Sequence, residues 1–478
     1  MQPIFINQKD NFTANFGDAL RSSAIFYYRT GPGFRTTIAF MNYWKSKRNL
    51  EVAIVASLRT MAGKLVRRER LRFGDATVLN YSPSVDAATF EGSLEVESFC
   101  TENLVIPYSA IMAIYETTSG VTMVHSYARA YSRHEVEDGR CICVGEESCW
   151  TLRDRPGVRS FGIFHNGPKQ MPPQRIVLRV SGQSGRQQAE LDLPALAPYQ
   201  TVKVIPSEHL PHLASLLSGA PGQANLSFQL GEGFTRMLVG NEAVDGSDMQ
   251  VTHSNFNYAS HRTDVIEDPR ACGYMYIPDA GISDKTVIIY PDTDSGRYEV
   301  TDGSTTTAFV TGEVVTLPCK EGVLRFRRTD GKLPSRIVTA IAGNAAGAAV
   351  PFECSLGVLT RAQPPKRLWW GVCAARPDLS STLIAHDAPE IYGGMPANAV
   401  IKVSLHSSRT TVALERELGA RDVDTLGGGI PLHELFDDPA AHLGSDFGYY
   451  TAFSEYPGLT WYSTLANQRG SLCLEHGF

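Results

Sequence analysis

No apolar run in the 478 residues approaches the roughly 20 needed to cross a bilayer as a helix. The opening stretch, MQPIFINQKDNFTANFGDALRSS, lacks the basic and apolar regions of a secretory signal peptide. Both absences point to a soluble, cytoplasmic protein. Excess charge of one sign is also missing. Lys and Arg number 44 against 50 Asp and Glu, a net charge of −6, which argues against a general nucleic-acid or anionic-membrane surface. Cysteine is sparse and irregular. Nine residues, an odd number at uneven spacing, do not form a disulfide framework, and the expected state is reduced, mostly buried thiols. The one local cluster, Cys141, Cys143 and Cys149, lacks the paired CxxC spacing of a structural zinc site, so its role stays unassigned. Catalytic signatures are missing too. There is no GxxxxGK[ST] loop and no GxSxG elbow, and Gly427–Gly429 has no strand-to-helix phosphate context. Long helical periodicity is scarce; the best helical candidates are short, at 207–217 and 432–436.

What is present is repetition. One hairpin pattern recurs four times, over 108–126, 234–254, 337–355 and 459–477. Each copy opens with a small or apolar strand, turns at Gly120, Gly246, Gly347 or Gly470, and returns to a fixed endpoint: His125, His253, Cys354 or His476. Recurrence in one register is the mark of internal duplication. Upstream of each hairpin lies a β-rich segment: 50–58, 175–180, 286–292 and 399–405. A shorter strand follows, often near a proline, at 77–83, 201–206, 314–318 and 429–436. An aromatic strand opens each copy, at 24–31, 160–167, 272–281 and 367–374. Alternation, β-branched residues and Gly/Pro/Asn/Asp punctuation give the period-2 signal of half-buried strands separated by turns.

Each copy spans about 100–130 residues, the size of a two-sheet sandwich. The expected fold is all-β: a tandem array of about four immunoglobulin-like or fibronectin-like β-sandwich units with few short helices. That resemblance is one of architecture, since the Cys…Trp…Cys pattern of a true immunoglobulin domain is missing. The expected units are 1–140, with a polar N-terminal arm, then 141–268, 269–363 and the aromatic-rich 364–478. The candidate linkers are 135–148, 264–271 and 360–367, the last stiffened by Pro364-Pro365. Hydrophobic residues at 43% and charged residues at 20% suit such core-forming units.

The repeated endpoints are the first candidate residues. His125, His253 and His476, with Cys354 as the diverged copy, read as structural: a strand-end imidazole pins its hairpin by bonding a nearby group. Imidazole also ligates metals and shuttles protons, which keeps a functional use open. His134 and His261 follow at nearly matched intervals, but one spacing is odd and the other even, so a shared site would need a bulge. Glu208, His209 and His212 are interrupted by Pro211 and do not form HExxH. The basic run 64–72 reads as an edge strand with Arg68, Arg70 and Arg72 on one face; an anionic partner is its functional version.

The C-terminal unit is crowded with rings. In 447–463 both strand faces carry aromatics, yet one sandwich interior hides only one face. At least one of Tyr450 and Tyr462 is therefore expected outside its own core, covered by an adjacent unit, a second copy or a ligand. Tyr450, Tyr462, Trp461, Trp369 and Trp370 are the candidate binding residues. The expected function is that of a non-enzymatic binding or structural protein presenting an aromatic surface to a protein or carbohydrate partner, with self-association open. No cofactor, metal, nucleic acid or membrane is expected. The rival reading is an enzyme, metal-dependent or not, whose site lies in an interdomain cleft, uses the repeated histidines and acts on a sugar or sugar conjugate.

Overall fold

The computed structural model describes residues 20–42, 44–45, 51–73, 76–100, 110–126, 128–129, 142–231, 234–256, 265–279, 281–290, 296–310, 315–319, 322–335, 337–344, 348, 350–362 and 367–478. The fold is all-β, with eight antiparallel sheets and six short helices among the described residues. No helix among the described residues is long and apolar enough to cross a membrane.

One eight-strand plan accounts for all eight sheets. In unit 1 the strands are Leu20–Thr30, Phe34–Met41, Ala53–Thr60, Leu65–Leu71, Val78–Tyr81, Phe90–Cys100, Ile111–Thr117 and Val121–His125. The fourth, third, sixth and first pair in that order to form an outer sheet. The fifth, second, seventh and eighth form an inner sheet. The same two orders recur in units 2, 3 and 4. In unit 4 two extra short strands, Ala375–Arg376 and Leu379–Ser380, join the inner sheet beside Leu459–Asn467. One pairing crosses between units: Phe234–Thr235 pairs with Ala128–Arg129 and so extends the outer sheet of unit 1.

The four hairpins are topologically equivalent, down to the residue. Met112 pairs with Ala39 on one side and His125 on the other. Leu238 likewise pairs with Ile163 and His253, Ile341 with Val287 and Cys354, and Tyr462 with Ile384 and His476. Cys354 is thus the true counterpart of the three histidines.

Two upstream alignments differ from the sequence reading. The opening strand of unit 2 is Ile142–Leu152, and the aromatic stretch at 160–167 belongs to the second strand, Val158–His165. In unit 3 the third strand is Arg297–Asp302, while 286–292 contributes to the second, Ser283–Ile289. Val158–His165 holds two phenylalanines and Ser283–Ile289 ends in TVII, the compositions expected of a first and a third strand, so composition alone does not separate the second strand from its neighbours. The expected break near 140 and the one at 363 lie outside the described residues, as do Gly347, Cys141, His134 and His261. Residue 268 falls between the strands Asn255–Phe256 and Gly273–Ile277.

The outer sheet of unit 2 alternates along its third strand. Along Gln174–Gly182, Ile176, Leu178 and Val180 are buried while Arg175 and Arg179 are exposed, the pattern of a sheet wet on one side. The eighth strands behave differently. Val121–His125 and Met249–His253 are buried at every position, because the four eighth strands lie side by side in a closed ring: unit 1 against unit 2, 2 against 3, 3 against 4, and 4 against 1. One face closes each sandwich and the other faces its neighbours. Polar side chains on these strands must then find partners across the seams. Thr122 Oγ1 donates to the Val251 carbonyl at 3.1 Å, and Gln250 Nε2 donates to the Val121 carbonyl at 3.1 Å. Ser471 Oγ accepts from the Val121 amide at 3.0 Å.

The seams extend outward. Tyr449 of unit 4 donates its hydroxyl to the Ala39 carbonyl of unit 1 at 2.7 Å, and Tyr462 donates to the Tyr276 carbonyl of unit 3 at 2.9 Å. Thr151 of unit 2 donates to Glu353 of unit 3 at 2.8 Å. One buried apolar cluster accordingly runs through units 1, 3 and 4, including Met112, Val287, Ile341, Trp370, Tyr449 and Tyr462.

Candidate functional site: an axial histidine cluster

Because the four eighth strands meet in a ring, their equivalent endpoints meet at its centre. The rings of His125 and His253 stand edge to face with centroids 4.2 Å apart. His476 lies 5.3 Å from His125 and 6.5 Å from His253 by the same measure. Glu475, the neighbour of His476 in the strand Leu472–His476, completes the group. One nitrogen or oxygen from each of His125, His253, Glu475 and His476 lies within 4.8 Å of the others. Three are buried, and His476 keeps about a quarter of its side chain (27%) exposed.

The hydrogen bonds assign the ring protons. Arg236, buried in unit 2, lies with Nη1 2.9 Å from His125 Nε2. A guanidinium only donates, so Nε2 accepts and Nδ1 carries the hydrogen. That Nδ1 stands 3.4 Å from Glu475 Oε1. His253 Nδ1 lies 2.9 Å from the Ser254 carbonyl oxygen; a carbonyl only accepts, so Nδ1 donates and the lone pair sits on Nε2. His476 Nε2 stands 3.5 Å from Glu475 Oε1.

Burial dominates the electrostatics. It holds the His125 pKa well below the ordinary imidazole value, reinforced by the neighbouring His253, Arg236 and His476. It raises the Glu475 pKa to about 8, against the opposing pull of the His476 backbone N–H and of Arg236. The fourth endpoint, Cys354, is also buried, and its thiol is pushed well above the usual range by desolvation and by Glu475. Cys272, Cys319, Cys354, Cys373 and Cys473 are free and buried.

An aromatic wall closes one side. The Phe478 ring lies 4.3 Å from His125, 4.5 Å from His476 and 4.6 Å from Trp370, stacked on the last. Its backbone exchanges two hydrogen bonds with Trp370, at 2.8 and 3.0 Å.

The aromatic residues named from the sequence occupy a different place. Trp369, Trp370, Tyr450, Trp461 and Tyr462 are all buried, at 0–3% exposure. Trp369, Tyr450 and Trp461 lie in the core of unit 4. Trp370 and Tyr462 lie in the cluster shared with units 1 and 3. Tyr462 is thus outside its own sandwich core, and the chain's own neighbouring unit covers it.

The lesser candidates are dispersed. His209 and His212 are exposed, on either side of the break between the helices Pro206–His209 and Leu213–Leu217. The basic run forms the edge strand Leu65–Leu71, where Arg68 Nε donates to Ser57 at 2.9 Å. Gly427 and Gly428 end a helix, Ala420–Gly428, that the sequence pattern did not indicate. Cys143 and Cys149 fall on the strand Ile142–Leu152.

Sequence reasoning did not single out Arg236 or Glu475. A signal existed for both: each is a lone charge in an otherwise apolar, strand-forming stretch, FTRMLVG and LCLEH. Charges in such positions are buried only when paired. Compared with known proteins, the sequence matches no family and shows no significant similarity to a curated protein.

Proposed function

We propose that the protein is a non-enzymatic binding and structural module. Four sandwich units in one chain close into a ring, and a protein partner docks by adding an extended segment to an outer sheet. With the five named rings inside, the partner is assigned to a sheet edge.

One observation supports this reading above others. Each outer sheet ends in its fourth strand, which faces solvent. Three of these edges carry charges that discourage pairing: LVRRERL at Leu65–Leu71, GRQQAELDL at Gly185–Leu193 and LERELG at Leu414–Gly419. The fourth, Thr305–Val310, reads TTTAFV. It has no charge and no proline, and it is exposed at all but Phe309, with Val310 at 52%. An uncharged edge rich in β-branched residues, three threonines and a valine in six positions, is what strand addition requires.

The test compares the wild type with a Thr306→Lys/Ala308→Lys double variant, both immobilised as bait. A protein retained by the wild type and lost by the variant, competed off by a peptide of its own extended segment, supports the reading. Equal retention by both overturns it. A concentration-dependent dimer abolished by the same variant would make the partner a second copy of the chain.

A second reading, an enzyme using the axial cluster, is favoured by one observation: three histidines and a carboxylate from three different units converge there.

A further inference from the structure

We propose that the axial cluster is a binding site for one divalent first-row transition-metal ion, held by His125, His253, His476 and Glu475. The inference is independent of the edge-strand reading. It stands on donor type, spacing, second-sphere hydrogen bonding and access.

Three imidazoles and one carboxylate are a donor set suited to zinc, and imidazole also suits iron, nickel and copper. Bonds of about 2.0–2.2 Å in a tetrahedron place donor atoms roughly 3.3–3.5 Å apart. Two donor pairs already have that spacing: Glu475 Oε1 stands 3.4 Å from His125 Nδ1 and 3.5 Å from His476 Nε2. All four donors lie within 4.8 Å of one another, so closing on an ion needs shifts of about 1 Å or less. His253 is arranged as a ligand is. Its Nδ1 donates to the Ser254 carbonyl, which fixes the tautomer and leaves the lone pair on Nε2, the usual support behind a metal-bound imidazole. The partly exposed His476 marks the way in.

Arg236 decides when the site is filled. While its guanidinium donates to His125 Nε2, the hydrogen of that ring sits on Nδ1, the atom facing Glu475. An ion on Nδ1 needs the lone pair there, so the ring proton moves to Nε2, and the Arg236 bond to it is lost. Proton count on the imidazole is unchanged; one hydrogen bond is exchanged for one coordinate bond. Arg236 and the ion, both cationic, therefore compete for His125. Cys354 holds the fourth equivalent position, but the carboxylate of Glu475, not this thiol, completes the donor set.

The experiment uses the full chain, stripped with a chelator and titrated with zinc and with cobalt(II) by calorimetry and visible absorption. The expected result is one ion per chain, with the ligand-field bands of four-coordinate cobalt. Glu475→Gln and His253→Ala should each weaken binding by at least about tenfold to a hundredfold, since disturbing even the groups behind the ligands costs that much. Arg236→Gln should tighten it. His209→Ala/His212→Ala, on the surface, should leave it unchanged. Circular dichroism reports whether each variant is folded. If His253→Ala unfolds, His476→Ala at the partly exposed position replaces it. Failure of cobalt to bind to both the wild type and Arg236→Gln overturns the proposal. So does binding that the ligand substitutions leave intact, or that the surface pair abolishes.

Discussion

His125 and His253 belong to different units, yet their rings touch edge to face at 4.2 Å, and each ends the same strand of its own hairpin. That contact exists only because the eighth strands close into a ring. Replacing His253 by Ala removes the bond to the Ser254 carbonyl and leaves a gap beside His125. Destabilisation of about 1–3 kcal/mol is expected, the usual cost of orphaning a buried polar partner. Urea denaturation followed by tryptophan fluorescence measures it; an unchanged midpoint would count against a structural role for this residue.

The seams between units are expected to carry measurable stability through single hydroxyls. Tyr449→Phe deletes the bond to the Ala39 carbonyl, and Tyr462→Phe the bond to the Tyr276 carbonyl. Both rings are buried, and the substitution changes little volume. Each should cost about 1–3 kcal/mol. The two effects should add in the double variant, because the bonds lie on opposite seams of unit 4. Strong non-additivity in a denaturation cycle would show that the seams open together.

Stability should fall on the acid side for a reason the structure names. His386 and His406 are largely withdrawn from solvent, and desolvation lowers each pKa to about 4; for His386, Lys285 adds to the lowering and Asp279 opposes it. His165 is lowered by burial and then by Arg59, to about 3. Below the ordinary value of about 6.5 the unfolded chain takes up protons that the folded chain refuses. The stability present above pH 6.5 is therefore lost as pH falls toward 4, by about 3 kcal/mol per group at the acid end. Denaturation midpoints measured from pH 7.5 to 4.5 should drop, and His386→Gln should flatten the slope. A slope untouched by that substitution would place the acid sensitivity elsewhere.

Gly120 is expected to tolerate no side chain. A Cβ there would stand 2.0 Å from Asp248 Oδ1 across the seam between units 1 and 2. Asp248 is itself committed, accepting from the Val350 amide of unit 3 at 3.2 Å. Gly120→Ala should destabilise by about 1–3 kcal/mol through overpacking. Gly246 and Gly470, the matching turn residues, sit at φ 77° and 86°. Alanine at either should destabilise through backbone strain instead. Thermal melts of Gly120→Ala, Asp248→Ala and the pair separate the causes: if the clash with Asp248 dominates, adding Gly120→Ala to Asp248→Ala should cost less than Gly120→Ala costs in the wild type.

Much of this was legible in the sequence, and the limits have physical causes. The hairpins were readable because turn glycines and endpoint residues recur in one register, and Cys354 was placed correctly as a fourth copy on that basis. The opening strand of unit 2 was missed. ICVGEESCWTL contains two glutamates, and its pairing register with the neighbouring strand shifts between Glu147 and Trp150, so period-2 alternation fails there. The convergence of His125, His253 and His476 was not readable at all. Strand pattern reports which face of a sheet a residue occupies, not how four sheets meet. The burial of Tyr462 was half readable: its position outside its own core followed from alternation, but the identity of the covering surface needed the ring.

The ring also sets an order on events in time. The bond from Tyr449 to Ala39 joins residues 410 positions apart, and it lies on the seam between unit 4 and unit 1. During synthesis the first three units emerge with their faces toward unit 4 unmatched, the Val121 amide and the Ala39 carbonyl included, until the last strands arrive. Contacts of such long range are slow to form, and exposed faces invite misassembly while they wait. The chain is therefore expected to refold slowly at its final step, with a late phase that reports closure of the fourth unit on the first.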